Sequence, residues 1–269
     1  MNKASMNPAA PLDVSPSQRE RLIQIWNASR DALQDVVREL KIDEAELKLA
    51  GRFFNRLGQS GMFPSLLAVG LAMVSVDVTR AAGGGTRPNL EGPFHRPGAP
   101  LREDGNLLDQ PARADATPLR MAGRVLDSAT GEPLVGAELD FWQADDVGTY
   151  DHHGGHLRGI VRSDARGGYA IGTVVPSDYA EHDGDPIGEL FGAMGRHNRR
   201  AAHIHLKASH PGYVALTTQI FMPTSQYLDS DYVEGAVSPD LTLRFVPEPS
   251  DNGAVRAHFD VLLRRVAAA

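Results

Sequence analysis

The spacing of apolar residues changes character once along this chain, and that change constrains the fold more than any other feature. Up to the break at Gly83-Gly84-Gly85, apolar residues recur every three or four positions, as in amphipathic helices. After Pro88, short segments alternate apolar and polar residues with the period of two that is typical of β-strands. The sequence therefore predicts an α+β chain, helical at its N-terminus and followed by an all-β sandwich or barrel.

Three helices are predicted before the break. The first begins near Ser17, Asp43 and Glu46 form a capping-box pattern at the start of the second, and the third covers Met62 to Arg80. The predicted organisation is a disordered tail at 1–15, a helical domain at 16–88 and a β-domain at 89–269. The helices are expected to supply packing or a dimer surface.

Five strands are predicted in the β-domain, each bounded by Gly, Pro, Asp or Ser. They are Arg120–Asp127, Ala137–Trp142, Gly168–Val174, Ala202–Ala208 and Val214–Met222. Several short strands separated by such turns are typical of a sandwich or a barrel.

Composition excludes several kinds of site. The 269 residues include no cysteine, which rules out disulfide scaffolds, thiolate zinc sites, iron–sulfur clusters and a cysteine nucleophile. The net charge of −7 and the lack of a basic segment argue against nucleic acid as a partner. No signal peptide is readable, and the apolar segment Met62–Val76 is shorter than the roughly 20 residues of a membrane span, so it predicts a buried helix in a cytoplasmic protein.

The sharpest candidate site is His203-Ile204-His205, inside a predicted strand. Side chains two residues apart in a strand lie on one face, roughly 7 Å apart along the chain, so both imidazoles can bind one ion. The pair can equally be two polar members of a sheet face. A cupin-like site would need a glutamate shortly afterwards, and none follows through His210.

Two other groups of residues could complete a metal site. His152, His153 and His156 lie in a glycine-rich segment that is more typical of a solvated loop. The other option is tyrosine: Tyr150 ends a strand-like segment, and Tyr179 follows the segment from Val174 to Asp178. A phenol, with its ordinary pKa of about 10, becomes an anionic ligand beside a strongly charged ion, so a tyrosine–histidine set would favour Fe(III) over Zn(II).

Segments between about residues 89 and 240 carry, in order, the pattern of a known family. They are Glu91-Gly-Pro-Phe-His95, Gly123-Arg-Val-Leu-Asp127, Gly131-Glu-Pro-Leu-Val-Gly-Ala137, Trp142-Gln-Ala-Asp145, Gly148-Thr-Tyr150, Gly195-Arg-His197, Arg200-Ala-Ala-His-Ile-His205, Leu216-Thr-Thr-Gln-Ile-Phe221 and Tyr227-Leu-Asp-Ser-Asp231. With these segments the sequence resembles the intradiol ring-cleavage dioxygenases, in their catechol 1,2-dioxygenase branch. The helical part is similar, more loosely, to the dimerisation region of that family.

The resemblance implies one non-haem Fe(III) per subunit, with four protein ligands and two further catalytic residues. The implied ligands are Tyr150, Tyr179, His203 and His205. Arg200 and Gln219 would lie beside the substrate, and Tyr179 would also leave the metal and accept a substrate proton. The implied substrate pocket consists of Leu90, Gly92, Pro93, Phe94, Tyr232 and Val233, with Asp77 and Val78 on its helical wall.

The activity implied by the resemblance is an oxidoreductase reaction of aromatic catabolism. Both atoms of O2 enter catechol between its two hydroxyl-bearing carbons, and the product is cis,cis-muconate. The resemblance also implies a homodimer formed through the N-terminal helices, with a bound lipid at the interface. Hydroxyquinol or chlorocatechol are the alternative substrates, and Asp77 could serve a third hydroxyl.

Two features keep other interpretations open. The segment Gly123–Ala137 also resembles transthyretin-like β-sandwiches, which are non-catalytic binding modules without metal. The chain further departs from the family pattern at Asp178, Ala180 and Glu181, where relatives carry apolar residues or proline, and at Ala201, where proline is usual. These departures make the surroundings of Tyr179 more polar.

Overall fold

A computed structural model describes residues 13–80, 84–248 and 253–266 of the chain. The chain divides into two compact units, Met1–Gln59 and Ser60–Ala269. Most of the predicted disordered tail, residues 1–12, lies outside the described residues. The predicted order, with helices first and strands after them, is confirmed, and the boundary proposed at residue 88 stays a prediction.

The first unit contains two helices with capping boxes at their N-termini. Helix α1 spans Pro16–Leu40, where the Ser15 hydroxyl accepts from the Gln18 N–H and the Gln18 side chain accepts from the Ser15 N–H. Helix α2 spans Glu44–Gln59, and its predicted capping box is confirmed, with reciprocal bonds of 2.9 Å between Asp43 and Glu46. No residue of α1 is buried.

The second unit begins with helix α3, Phe63–Arg80, which differs from the prediction in its burial. Only Val69 and Met73 are buried, while Leu71 and Val74 are well exposed, because one chain covers just one side of this uniformly apolar helix. Among the described residues it is also the one helix long and apolar enough to cross a membrane. A single such helix is a weak indication of a span.

Eleven strands follow within the described residues, most of them short. They are β1 Pro118–Asp127, β2 Glu138–Gln143, β3 Arg158–Arg162, β4 Gly168–Val174, β5 Tyr179–Ala180, β6 Arg199–Arg200, β7 His203–Ser209, β8 Leu216–Phe221, β9 Val246–Pro247, β10 Val255–His258 and β11 Val261–Leu263. All five predicted strands are present, and β4 has the predicted bounds.

The strands form two larger sheets and a short ribbon. One sheet is antiparallel, in the order β3-β2-β7-β8. In the other, β1 pairs antiparallel with β4 and parallel with β10 and β11, and β9 pairs with β10. Strands β5 and β6 form a two-stranded ribbon that places Tyr179 opposite Arg200.

The two larger sheets pack on each other through apolar and polar contacts. The rings of Phe141 on β2 and Tyr169 on β4 lie 5.9 Å apart, and the Gln143 side chain donates to Val174 O and accepts from the Thr173 hydroxyl. Six of the strands, β3, β5, β6, β9, β10 and β11, were not predicted. Helix α4, Pro186–Ala193, was not predicted either, and it interrupts the β-domain. It forms because the Asp185 carboxylate caps its N-terminus and Pro186 occupies its first turn.

Candidate metal centre

The two histidines of β7 direct ring nitrogens towards each other. His203 and His205 are both buried, and their Nε2 atoms lie 3.0 Å apart. Imidazole nitrogens lie roughly 2.0–2.1 Å from a bound first-row ion, and two such bonds at right angles hold the nitrogens about 3 Å apart. The observed separation therefore suits two ligands of one ion.

Neighbouring groups fix the orientation and the charge of both rings. The His203 Nδ1–H donates to Ala201 O over 2.6 Å, which leaves the lone pair on Nε2. The His205 ring stacks on Trp142, its cross-strand partner, with centroids 4.6 Å apart and planes 5° apart. Burial and the nearby Arg200 guanidinium lower the pKa of His203, and burial with His203 lowers the pKa of His205, so both rings are neutral near pH 7.

Two tyrosine rings complete this group of side chains. Tyr150 lies in the loop after β2, and its ring centroid is 5.4 Å from that of Tyr179 and 6.3 Å from that of His205. The Tyr179 ring lies 5.7 Å from that of His203. Burial raises the pKa of both phenols above its ordinary value, so only a nearby cation would ionise them at neutral pH.

The polar atoms of this cluster fit a hard cation. Within the described part of the chain, the buried Tyr150 hydroxyl and the buried His205 Nδ1 have no hydrogen-bond partner. Buried polar groups are normally paired, so an unpaired hydroxyl beside two convergent imidazoles indicates a group still to be bound. No set of three or more His, Asp or Glu among the described residues could hold a metal ion, so a metal centre here depends on the tyrosines.

Arg200 is held beside the four rings by two buried partners. Its Nε donates to both carboxylate oxygens of Asp231, at 2.9 and 3.2 Å, and its Nη2 donates to Gln219 Oε1 at 2.7 Å. Gln219 lies opposite His205 in the β7–β8 pair and donates its own amide to Leu90 O. This network fixes a guanidinium, whose charge is compensated by Asp231, next to the candidate centre.

A cavity of about 630 Å³ opens beside the cluster, and Arg200 lines it. Most of the residues predicted for the substrate pocket line it as well: Leu90, Gly92, Pro93, Phe94, Tyr232 and Val233. The Phe94 ring stacks on Tyr150 at 4.3 Å, and a Cβ added to Gly92 would lie 3.3 Å from His205 Cε1. None of the four rings lines the cavity itself, but Phe94 and Gly92 line it and also lie against Tyr150 and His205.

The structure does not bring every candidate to this cavity. Asp77 forms an ion pair with Arg87 at 3.1 Å, and neither Asp77 nor Val78 is among the residues that line the cavity. In the histidine-rich loop, the Asp151 carboxylate accepts from the N–H groups of His153 and His156, so the carboxylate organises a turn. The imidazoles of this loop do not join the cluster on β7.

Two residues near the site have roles that sequence reasoning did not assign. The Asp178 carboxylate accepts from the Ala202 N–H and from the Ser225 hydroxyl, and so anchors the start of β7. Glu181 lines the cavity and contacts Tyr179. The only signal in the sequence was that both positions depart from the family pattern.

Comparisons with known proteins agree with this geometry. Residues 90–265 match the family model described as "Dioxygenase". The chain is 35% identical over 266 residues to a 6-chlorohydroxyquinol 1,2-dioxygenase of Cupriavidus pinatubonensis, and the match covers 94% of each chain. It is 30% identical over 251 residues to a chlorocatechol 1,2-dioxygenase of Pseudomonas sp. strain P51, and that match covers 91% of this chain and 97% of the relative.

A solved structure gives the same result. The crystal structure of 3-chlorocatechol 1,2-dioxygenase from Rhodococcus opacus 1CP superposes with a TM-score of 0.83 at 29% identity, covering 92% of this chain and 99% of that one. The chain belongs to the intradiol ring-cleavage dioxygenases, whose members are non-haem iron(III) enzymes that cleave aromatic diols with O2.

Proposed function

We propose that this chain cleaves catechol with O2 between the two hydroxyl-bearing carbons and releases cis,cis-muconate. The observation that carries the proposal is the convergence of two imidazoles and two phenols beside a cavity lined by Arg200. Catechol and O2 together contain all the atoms of the product acid, so no further reductant is needed.

Tyr150, Tyr179, His203 and His205 would hold one Fe(III) per subunit. Two phenolates and two neutral imidazoles suit a hard trivalent ion, which tyrosinate charge stabilises. When bound, the iron would bind the diol as a dianion and make its ring reactive towards O2.

Residues of the chain would accept a proton, stabilise negative charge and exclude water. The Tyr179 phenolate oxygen would accept one of the two hydroxyl protons of the diol on leaving the metal, and a hydroxide ion would accept the other. The resulting Tyr179 phenol can donate to the neighbouring carboxylate of Glu181. The Arg200 guanidinium, kept in place by Asp231 and Gln219, would stabilise negative charge that develops on the substrate. Phe94 and Pro93 would keep water from the ring of the diol.

Hydroxyquinol and chlorocatechol are the second candidate substrates. The names of the relatives support them, and so does the composition of the cavity, where the carboxylate of Glu181 and the hydroxyl of Tyr232 lie among lining residues that are mostly apolar. Asp77 is paired with Arg87 and does not line this cavity, so it would not contact a third hydroxyl of the substrate.

The family assignment also supports a proposal for the assembly and the location of the protein. We infer a homodimer formed through the N-terminal helices, because α1 exposes Trp26, Leu33 and Leu40. A bound lipid at that interface and a cytoplasmic location remain part of the proposal. Size-exclusion chromatography with light scattering tests the dimer, and extraction followed by mass spectrometry tests the lipid.

A visible absorption spectrum of the purified protein, before and after anaerobic addition of catechol, is the direct test. Tyrosinate-to-iron charge transfer should colour the protein red, and the band should shift as the diol binds. His203→Ala should abolish both the colour and oxygen uptake. A protein that stays colourless after iron reconstitution would contradict the proposal and favour the metal-free binding module.

A further inference from the structure

A carboxylate lies at the boundary between the candidate metal centre and the cavity. The Tyr179 hydroxyl donates to Glu181 Oε1 over 3.2 Å, and the Tyr232 hydroxyl donates to Glu181 Oε2. Both Glu181 and Tyr232 line the cavity of about 630 Å³. Much of the remaining wall is apolar, and Leu90, Phe94 and Val233 are among its apolar residues.

The backbone around this carboxylate is held on both sides. The Glu181 N–H donates to Asn198 O over 3.1 Å, and the Asn198 side-chain amide donates back to Glu181 O. The Tyr232 N–H donates to Arg199 O over 3.0 Å. The backbones of Glu181 and Tyr232 are therefore both hydrogen-bonded to the segment that includes β6. A ligand that bonds to a carboxylate fixed in this way loses little free energy to ordering the protein.

The other ionisable groups of the cavity are already engaged. His182 Nδ1 and Asp185 Oδ2 lie 2.6 Å apart, and Glu91 is paired with Lys207 at 2.6 Å. Arg200 is paired with Asp231, which compensates its charge. Glu181 is the carboxylate that lines this cavity with tyrosine hydroxyls as its side-chain partners.

The Glu181 carboxylate has more hydrogen-bonding capacity than its two phenol partners use. A carboxylate offers about four acceptor positions, and the two phenols occupy two of them. About two acceptor positions of Glu181 therefore remain open beside the cavity while both phenols donate to it. An acceptor left without a donor at an apolar wall penalises a ligand that cannot supply one, by roughly 1–3 kcal/mol.

Resting on the function proposed above, we propose that Glu181 is a specificity-determining residue that selects diols with a further hydrogen-bond donor on the ring. A third ring hydroxyl would donate to one of the acceptor positions of Glu181 that the two phenols leave open. A ring chlorine cannot donate, and a ring carboxylate would be repelled by the negative charge. The cavity would therefore favour hydroxyquinol over catechol and 4-chlorocatechol, and would exclude 3,4-dihydroxybenzoate.

The test compares kcat/KM per bound iron for these four diols, measured by oxygen uptake with correction for autoxidation. The variants are Glu181→Leu, which removes the acceptor, and Glu181→Gln, which keeps an acceptor oxygen and removes the charge. Glu234→Gln is the matched control, because Glu234 is paired with Arg196 and does not line the cavity. Ratios between substrates are used because loss of folded enzyme or of iron lowers all rates together.

The wild-type ratio of hydroxyquinol to catechol should exceed roughly tenfold and fall about tenfold in Glu181→Leu. Glu181→Gln should retain most of that ratio and should accept 3,4-dihydroxybenzoate at least about threefold better than the wild type, since the repelling charge is gone. If Glu181→Leu does not fold, the inference is tested by the substrate ratios of Glu181→Gln compared with those of the wild type.

Two results would overturn the inference: a wild-type preference for catechol or 4-chlorocatechol, or substrate ratios unchanged within twofold in both Glu181 variants. The proposed function fails in a different way, because a protein without iron would cleave none of the four diols.

Discussion

Tyr169 and Tyr150 are both fully buried phenols of the β-domain, and they differ in what their hydroxyls meet. Tyr169, on β4 of the five-stranded sheet, donates to Phe259 O over 2.6 Å. Tyr150, beside the four-stranded sheet, has no partner for its hydroxyl among the described residues. A buried tyrosine hydroxyl thus has a hydrogen-bond acceptor beside one sheet and has none beside the other.

The same contrast holds for the other polar groups of the two sheets. Asp127 on β1 is buried, and it accepts from the backbone of Ala129 and Thr130, the Tyr213 hydroxyl and Arg265. Beside β7, by contrast, the buried Tyr150 hydroxyl and the buried His205 Nδ1 have no partner among the described residues, and the Nε2 atoms of His203 and His205 lie 3.0 Å apart. Buried polar groups that are paired within the protein indicate structure, whereas convergent unpaired groups indicate a binding site.

Replacing the two tyrosines tests this comparison with the largest expected effect. Tyr150→Phe should remove bound iron and lower kcat/KM for catechol by more than roughly a hundredfold, because a metal ligand is lost. Tyr169→Phe should keep the iron and the activity, and should lower the free energy of unfolding by about 1–3 kcal/mol because Phe259 O loses its donor. Metal analysis, oxygen uptake and urea denaturation give the three readouts.

If both variants retained iron equally, the assignment of Tyr150 would be wrong.

The second-largest effect is expected from breaking the buried ion pair between Arg200 and Asp231, next to the site. Arg200→Ala leaves the Asp231 carboxylate buried without its cation, both side chains being only 3% exposed, and should cost about 3–5 kcal/mol of unfolding free energy. The pair Arg162–Glu138 is about half exposed, and Arg162→Ala should cost less than about 1 kcal/mol. Equilibrium urea denaturation of both variants measures the difference.

Equal costs in the two variants would show that Asp231 does not depend on Arg200 for its stability.

Two glycines with positive φ provide a smaller contrast between the site and the surface. A methyl group at Gly92 (φ +69°) would lie 3.3 Å from His205 Cε1, whereas one at Gly98 (φ +85°) would meet nothing within 4 Å. Both alanine variants should lose about 1 kcal/mol of stability through backbone strain. Only Gly92→Ala should also lower kcat/KM for catechol, by about tenfold, because the ring of His205 is displaced.

A loss of activity in Gly98→Ala as large as that in Gly92→Ala would mean that backbone strain, and not the contact with His205, is responsible.

The smallest expected effect is on the pH dependence of stability, and it comes from Asp127, the hydrogen-bonded carboxylate of the five-stranded sheet. Hydrogen bonds from the Ala129 N–H and the Tyr213 hydroxyl hold the pKa of Asp127 well below its ordinary value of about 4. The folded state therefore gains stability from Asp127 above that ordinary value and loses it as the pH falls towards the lower, folded-state pKa. Asp127→Asn should be less stable than the wild type at pH 6, and the difference should shrink at pH 3.

Urea denaturation at pH 6 and at pH 3 measures the difference in unfolding free energy between Asp127→Asn and the wild type. A difference that is the same at pH 3 and pH 6 would contradict the assignment of the lowered pKa.

Local structure could be predicted from the sequence where short-range patterns decide it. The bounds of β4, the capping box of Asp43 and Glu46 and the common face of His203 and His205 all follow from spacing along a few residues. Helix α4 could have been found in the same way, because Asp185 and Pro186 carry a start signal for a helix. The burial of α3 could not, since it depends on which surfaces are nearby.

The sequence by itself determined the order of helices and strands, the histidine pair and, through its resemblance to a family, the tyrosines to be examined. Only the tertiary structure decided that Asp231 neutralises Arg200, that Glu181 rather than Asp77 lines the cavity, and that α3 is largely exposed. Hydrogen bonding and periodicity act over a few residues, whereas these contacts arise from pairing of distant strands and loops, which no local pattern encodes.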